Sequence, residues 1–460
     1  MLTCAYRRLA RLLAICTALF LAIMAVPAAE RFPFEIKLVP VEIPAMPGLH
    51  SYAFGQHEGL WVLVGGRLDG LHARQPFRSF PASANNTSVF VVDPHTVTVW
   101  SASVLGLPAS ISEQLQSTNM NFHQSDTTLF IIGGYGYSES TGDHVTHPYL
   151  AALDLPRLIR EVQTGAPLTA IRQVRDESFA VTGGQLGKLG DELLLVGGHR
   201  FDGRYNPMSM PTFRQEYTNA IRVFSVGDTG GDLDVRMVRE YTDPDHLRRR
   251  DYNLVPQRRP DGSAAYLLSS GVFQTDADLP FLYPVEITAT GYRPIEQFDQ
   301  LLSHYHSPKL PLFDDATREM HTVFFGGIAQ YYLRDGSLIR DDLVPFVDTI
   351  SRVTRAVDGT YVEYVVPLAM PGLIGASGEF IPNPELLRGD SRVIHTADLP
   401  DAPVIVGHIV GGIRSPERNP FSVNRTHLTA ADASVYAVVM TPRPSEHATV
   451  PHLSNARAPR

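Results

Sequence analysis

Five times along the chain an apolar strand runs straight into a pair of glycines. The copies are Leu60-Trp-Val-Leu-Val-Gly65-Gly66, Leu129-Phe-Ile-Ile-Gly133-Gly134, Leu193-Leu-Leu-Val-Gly197-Gly198, Thr322-Val-Phe-Phe-Gly326-Gly327 and Ile405-Val-Gly-His-Ile-Val-Gly411-Gly412. A weaker copy, Tyr266-Leu-Leu-Ser-Ser-Gly271, fills the gap between the third and the fourth, and with Ser270 as its register point the steps are 68, 64, 73, 56 and 85 residues. One strand–turn signature recurring at a loose period is the mark of a radial or stacked repeat, which constrains the fold more than any other feature of the chain. Glycine suits the end of such a strand because a close backbone approach or a positive φ leaves no room for a Cβ.

Each copy reads as four strands. In the first, Thr87-Ser-Val-Phe-Val-Val-Asp93 and Thr96-Val-Thr-Val-Trp100 follow the glycines and are joined through Pro94 and His95, a tight-turn composition. An inner strand precedes the glycine strand, as Asn121-Phe-His-Gln precedes Thr128-Leu-Phe-Ile-Ile. The expectation is an all-β, six-bladed β-propeller with four strands per blade over residues 30–441. The N-terminal strand near Ile36 to Ile43 has no blade of its own, and pairing it with the strand near Val435 to Val439 would complete the last blade and remove two open edges.

These repeats resemble the kelch repeat, the blade type of the central domain of galactose oxidase and of bacterial N-acetylneuraminate epimerase. Trp61, Gly65-Gly66 and the ending Val-Val-Asp93-Pro-His-Thr-Val-Thr-Val-Trp100 carry the fullest match, and the resemblance covers roughly residues 34 to 441. The chain also resembles a set of bacterial secreted propellers of kelch type. The resemblance implies ligand loops at one mouth of a central channel.

Residues 1–29 are expected to be a secretory signal peptide, with Arg7, Arg8 and Arg11 ahead of the apolar run Leu12 to Val26 and small residues at Ala28 and Ala29. Uncleaved, the same segment could just span a bilayer and would be the chain's one membrane contact. Residues 442–460 are expected to form a disordered tail. Both cysteines, Cys4 and Cys16, fall in the export segment, so the mature chain has no thiol for disulfides, thiolate metal sites or the cysteine–tyrosine copper radical of galactose oxidase. Removing three arginines takes the basic count from 39 to 36 against 48 acidic residues, a net −12, and no broad basic surface remains for nucleic acid. The basic run His246-Leu-Arg248-Arg249-Arg250-Asp251 reads as a solvated loop.

Polar residues stand directly after the glycine pairs. Arg67, Asp69 and His72 follow the first and His199, Arg200 and Asp202 the third, while Tyr331 and Arg414 hold matching places in later copies. Together they would gather at one channel mouth as a rim for a small polar, carbohydrate or acidic ligand, with arginine forks for carboxylates and tyrosine faces for sugar rings. The same pattern also fits arginine–aspartate pairs that simply order long turns. His304 and His306 are weak metal candidates, being spaced to share one face of a strand but lacking an evident third ligand; no metal and no cofactor is called for. Three functions remain open at this stage: a periplasmic or secreted binding module acting as a monomer, a cofactor-free sugar epimerase or lyase using an acid–base pair, and an adaptor for an extracellular protein.

Overall fold

The computed structural model describes residues 32–207, 212–229, 231–389 and 391–443. The expected export segment and the expected tail beyond Arg443 lie outside the described residues. The architecture is all-β, built from antiparallel sheets of four strands, as in a β-propeller.

Counted along the chain there are six such sheets, each running inner to outer. Sheet 1 is Ala53–His57, Leu60–Val64, Ser88–Asp93 and Thr98–Ser103; sheet 2 is Asn121–Ser125, Thr128–Ile132, Tyr149–Asp154 and Ile171–Arg175. Sheet 3 is Gln185–Leu189, Glu192–Val196, Ala220–Thr229 and Asp232–Thr242; sheet 4 is Asn253–Arg258, Ala264–Ser269, Val285–Thr288 and Gly291–Pro294. Sheet 5 is Lys309–Phe313, Met320–Ile328, Phe346–Arg355 and Tyr361–Ala369, and Ile394–His395 adds to its inner edge in parallel. Sheet 6 is Glu379–Pro382, Val404–Val410, Val435–Pro442 and the first strand of the chain, Phe34–Val41. That first strand pairs antiparallel with the last from Phe34 opposite Pro442 to Val41 opposite Val435.

Apolar packing fills each gap between neighbours. Val62, Val64, Val89 and Val91 of sheet 1 meet Leu129, Ile131, Ala151 and Leu153 of sheet 2, with Leu155, Leu158 and Val162 of the helix Leu155–Thr164 filling the outer part of the wedge. Asp154 caps that helix by accepting from Arg157 N, and Gly165, at φ 69°, ends it. Separate cores lie between sheets 2 and 3, 3 and 4, 4 and 5, and 5 and 6. Sheet 6 packs on sheet 1 through Ile381, Val410 and Val435 against Phe54, Trp61 and Leu63. At roughly 1.5–3 kcal/mol for each fully buried aliphatic or aromatic side chain, these six wedges carry most of the favourable free energy of folding.

The glycine pairs are explained by the neighbouring chain. The N–H of the second glycine donates across to the next sheet's entry segment: Gly66 to Ser117 O, Gly134 to Val181 O, Gly198 to Arg249 O, Gly271 to His304 O and Gly412 to Leu49 O, at 2.7–3.2 Å. A Cβ on Gly133 would stand 1.8 Å from Val181 O, and one on Gly411 2.3 Å from Leu49 O. The weak fourth copy has the same backbone turn, with Ser270 at φ 58° and Gly271 at φ 99°, and there the serine hydroxyl donates to Phe281 O. Gly271 therefore marks a sheet of the set and not an insertion.

Six further backbone bonds close on themselves. Asn119 N donates to Ser51 O, Gly183 N to Asn119 O, Asp251 N to Gly183 O, His306 N to Asp251 O, Ser377 N to His306 O and Ser51 N to Ser377 O, all between 2.7 and 3.1 Å. Each of these residues lies just ahead of an inner strand, and the ring draws the heads of all six strands around one axis.

The run His246–Asp251 departs from the sequence expectation. Arg249 is fully buried, donates to His246 O, Ser270 O and Tyr283 O, and lies against the rings of Phe281 and Tyr283. Arg250 pairs with Asp251 and donates to Tyr217 Oη at 3.2 Å. The run is the entry segment of sheet 4, where backbone carbonyls and aromatic faces take the place of water.

Candidate functional site in the axial channel

The rim residues singled out by the sequence are largely engaged with one another. Arg67 is 2% exposed and spends its fork on its own neighbour: Nε donates to Asp69 Oδ1 at 2.8 Å and Nη2 to Asp69 Oδ2 at 2.6 Å, while Nη1 donates to Asn85 Oδ1. Arg200 repeats the arrangement with Asp202 at 2.6 Å and adds Glu177 at 2.9 Å. His72 stacks on Phe80 and meets the edges of Tyr205 and Phe421; burial drops its pKa to about 4. His199 is buried beside Gln215, Phe201 and Tyr217, and burial, helped by Arg250, holds it well below the usual histidine range. Tyr331 heads a separate hairpin opposite Arg340, and Arg414 is an exposed residue opposite Ala430. The structure thus brings Arg67, His72 and His199 into one aromatic layer with Phe80, Tyr135, Phe201 and Tyr205, and places Tyr331 and Arg414 on other loops. In this layer the loops after the glycine pairs pack on each other.

Inside the backbone ring lies a cavity of about 110 Å³ lined by the starts of all six inner strands. The first residues of those strands are Ala53, Asn121, Gln185, Asn253, Lys309 and Glu379. In sheets 2 to 4 the position is an amide that stitches neighbouring chain together. Asn121 Nδ2 donates to Ile132 O and Val181 O, Gln185 Nε2 bonds Tyr252 O, and Asn253 Nδ2 donates to Tyr305 O at 2.8 Å. In sheets 5 and 6 the same position carries a lysine and a glutamate.

His306 Nε2 lies 3.0 Å from Glu379 Oε1, and the glutamate side chain is only 5% exposed. Burial alone would push the Glu379 carboxyl up, but His306, Lys309 and Arg392 outweigh it and hold the group below the usual carboxylate range. Burial pulls the Lys309 ammonium down, Glu379 pulls it back, and Arg392 repels it; the net is a lowered pKa. What surface Lys309 retains faces the cavity. His123, the third residue of its inner strand, is buried in the same wall with Nε2 unpartnered, and burial plus the charges of Arg392 and Lys188 keeps it neutral.

Arg392 reaches the cavity by a detour. The chain between Pro382 and Val404 leaves sheet 6, pairs Ile394 and His395 with Leu312 and Phe313 of sheet 5, and is pinned by His395 Nδ1 to Asp315 Oδ1 at 2.8 Å. This holds the Arg392 guanidinium 5.7 Å from the Phe54 ring centre, with Nη2 donating to Gln124 O at 3.3 Å. Tyr266 completes the wall, its hydroxyl accepting from Lys188 N.

The two metal candidates part company. His304 uses both ring nitrogens, Nε2 against Gln300 O and Nδ1 as acceptor from Gln330 N, while His306 turns to Glu379. They sit in a turn ahead of the inner strand, so the shared face that a strand would give them does not arise. Among the described residues no cluster of three or more metal-ligating side chains occurs, and no helix is long and apolar enough to cross a membrane.

Sequence reasoning missed Lys309, Glu379, Arg392 and His123, and weighed His306 only for metal. The readable signal was positional: counting back from each glycine strand to the head of the strand before it returns polar residues in five copies of six.

No known sequence family matches the chain, and no curated protein matches it. Among solved structures 148 chains match. One, titled "Structure of YjhT", is 11% identical, covers 90% of this chain and 100% of its own, and superposes with a TM-score of 0.48. At that score the likeness carries no argument, and the account of the site rests on its own geometry.

Proposed function

We propose that this chain is an exported, six-bladed propeller of kelch type, closed by its N-terminal strand, whose axial cavity binds a small acidic, hydroxyl-rich molecule and moves a proton on it. Six consecutive sheets, six wedges of core and a six-membered ring of backbone hydrogen bonds support the blade count, and the pairing of Phe34–Val41 with Val435–Pro442 supports the closure. Export rests on Arg7, Arg8 and Arg11 ahead of an apolar run.

One observation carries the ligand class: Lys309, Arg392, His306 and Glu379 line one cavity, while the other inner-strand heads are amides or alanine. Charges drawn out of water cost free energy unless they are paired, so keeping two cations, an imidazole and a carboxylate there favours an anionic guest. Arg392 and Lys309 are the groups to meet its carboxylate. The His306–Glu379 pair, with a depressed carboxyl beside an imidazole, supplies the base and the acid for a proton transfer. The rim is then a packed cover over the channel.

The test is calorimetric titration with lactate, glycerate and neutral sugars on the wild type, on Arg392→Gln and on Arg200→Ala. Binding of the acids is expected in the wild type, with a loss of about 30-fold or more in Arg392→Gln, since a buried carboxylate contact is removed. Arg200→Ala should bind as the wild type does. Acids that bind equally well to Arg392→Gln and lose affinity in Arg200→Ala would move the site to the rim.

A further inference from the structure

The chain contains 36 arginines and only three lysines, Lys37, Lys188 and Lys309. Positive charge in this sequence is supplied almost entirely by arginine. Lys37 is exposed beside Glu35, and Lys188 bonds Ser125 Oγ at 2.6 Å. Lys309 is the exception: it heads an inner strand, lines the axial cavity, and faces the His306–Glu379 pair. An arginine could serve a carboxylate there at least as well, with a planar fork and no loss of charge. What a guanidinium cannot do is act as an amine nucleophile.

We propose that Lys309 forms an imine with the carbonyl carbon of a small 2-oxo acid held in the axial cavity. This rests on the reading of the cavity as an acid-binding site and adds the reacting group. The neutral amine attacks the carbonyl carbon, a C–N bond forms, and a proton passes from nitrogen to the former carbonyl oxygen to give a carbinolamine. The C–O bond then breaks as the His306 imidazolium, held by the Glu379 carboxylate, delivers a proton, water leaves, and the nitrogen lone pair completes the C=N bond. Arg392 holds the carboxylate, which fixes the carbonyl beside the amine. Burial favours the neutral amine that the first step needs and, with Arg392, outweighs the opposing pull of Glu379. The cavity, about 110 Å³, suits an acid of three or four carbons.

The experiment uses pyruvate as probe and sodium cyanoborohydride as the reductant that traps the imine as a secondary amine, on the purified chain near pH 7, read by intact and peptide mass spectrometry. Lys37 and Lys188 serve as internal controls. One reduced pyruvyl adduct is expected at Lys309, at least about tenfold above either control, as desolvation of a reactive lysine implies. Lys309→Arg, which keeps the cation but removes the amine, should give no adduct, and Glu379→Gln should slow trapping. No adduct, or one spread evenly over the three lysines, overturns the proposal. Lactate, which has no carbonyl to attack, separates the two failures: lactate binding without pyruvate trapping leaves the acid-binding site standing and removes the imine, whereas absence of both removes the site as well.

Discussion

The heads of the inner strands divide the ring into two halves. In sheets 2, 3 and 4 the position holds Asn121, Gln185 and Asn253, which bond carbonyls of neighbouring chain and are neutral. In sheets 5 and 6 it holds Lys309 and Glu379, which face each other's charge across the cavity. The backbone is the same in both halves, since the ring of N–H to carbonyl bonds runs through all six. What differs is the use of the side chain: as an inter-sheet stitch in one half, and as a charge held at the axis in the other. A second buried acid sharpens the contrast. Glu363, on the outer strand of sheet 5, accepts from Leu301 N and Leu302 N and shows no ion pair among the described residues, and burial drives its pKa up to about 8. Glu379 is as deeply placed and goes the other way because His306, Lys309 and Arg392 surround it.

The largest effect expected from this difference is a pH slope. Glu363 holds its proton in the folded state up to about pH 8 but releases it near 4.5 when unfolded, so its contribution is complete at acid pH and is lost as pH rises through that window. Read as the difference between the wild type and Glu363→Gln in chemical denaturation, the Glu363 contribution should fall by on the order of 3 to 5 kcal/mol between pH 4.5 and 9, the two amide bonds to the carboxylate favouring the lower figure. Glu363→Gln should flatten that slope. A slope unchanged in the variant would mean that Glu363 is ionised like Glu379.

Next in size is the stitch. Asn121 is fully buried and donates to two carbonyls, one of them in the entry segment of sheet 3. Asn121→Ala should cost about 2 to 3 kcal/mol in a urea titration, from two lost bonds and a small void. The charged half should behave differently. Replacing both Lys309 with Met and Glu379 with Gln removes the desolvated charges together, and stability should stay within about 1 kcal/mol of the wild type or rise, while acid binding disappears. A double variant that melts as far down as Asn121→Ala would make Lys309 and Glu379 stitches of another kind.

How much of this was legible follows from what the glycines report. They mark where one sheet's second strand touches the next sheet's entry, so they gave the number and order of the sheets and even the Ser270-Gly271 copy. The inner strands carry no such mark. In sheet 6 the head Glu379 lies 32 residues before Gly411, because the chain leaves the sheet to lay Ile394–His395 on sheet 5. That detour is visible in the sequence only as the long final step of 85 residues, and it is what delivers Arg392 to the cavity. The rim motif was legible as a repeat but not as a role. Arginine followed two residues later by aspartate describes an internal fork in both copies, and sequence spacing alone cannot tell a fork that is occupied from one that is open.

The smallest effect tests that last point. Arg200 is 41% exposed and divides its fork between Glu177, 55% exposed, and the half-buried Asp202. Pairs of this kind are screened and lose side-chain entropy on forming, so Arg200→Ala should cost less than about 0.5 kcal/mol. Arg67, with the same motif, is sealed beneath Phe80 and bonded to Asn85 as well as to Asp69. Thermal melts of Arg200→Ala at low salt and at about 0.5 M salt, where the screening length falls to roughly 4 Å, should therefore nearly coincide with the wild type. A drop of several degrees, equal at both salt concentrations, would mean that the third-sheet loop is locked as firmly as the first and that the two copies of the motif share one role.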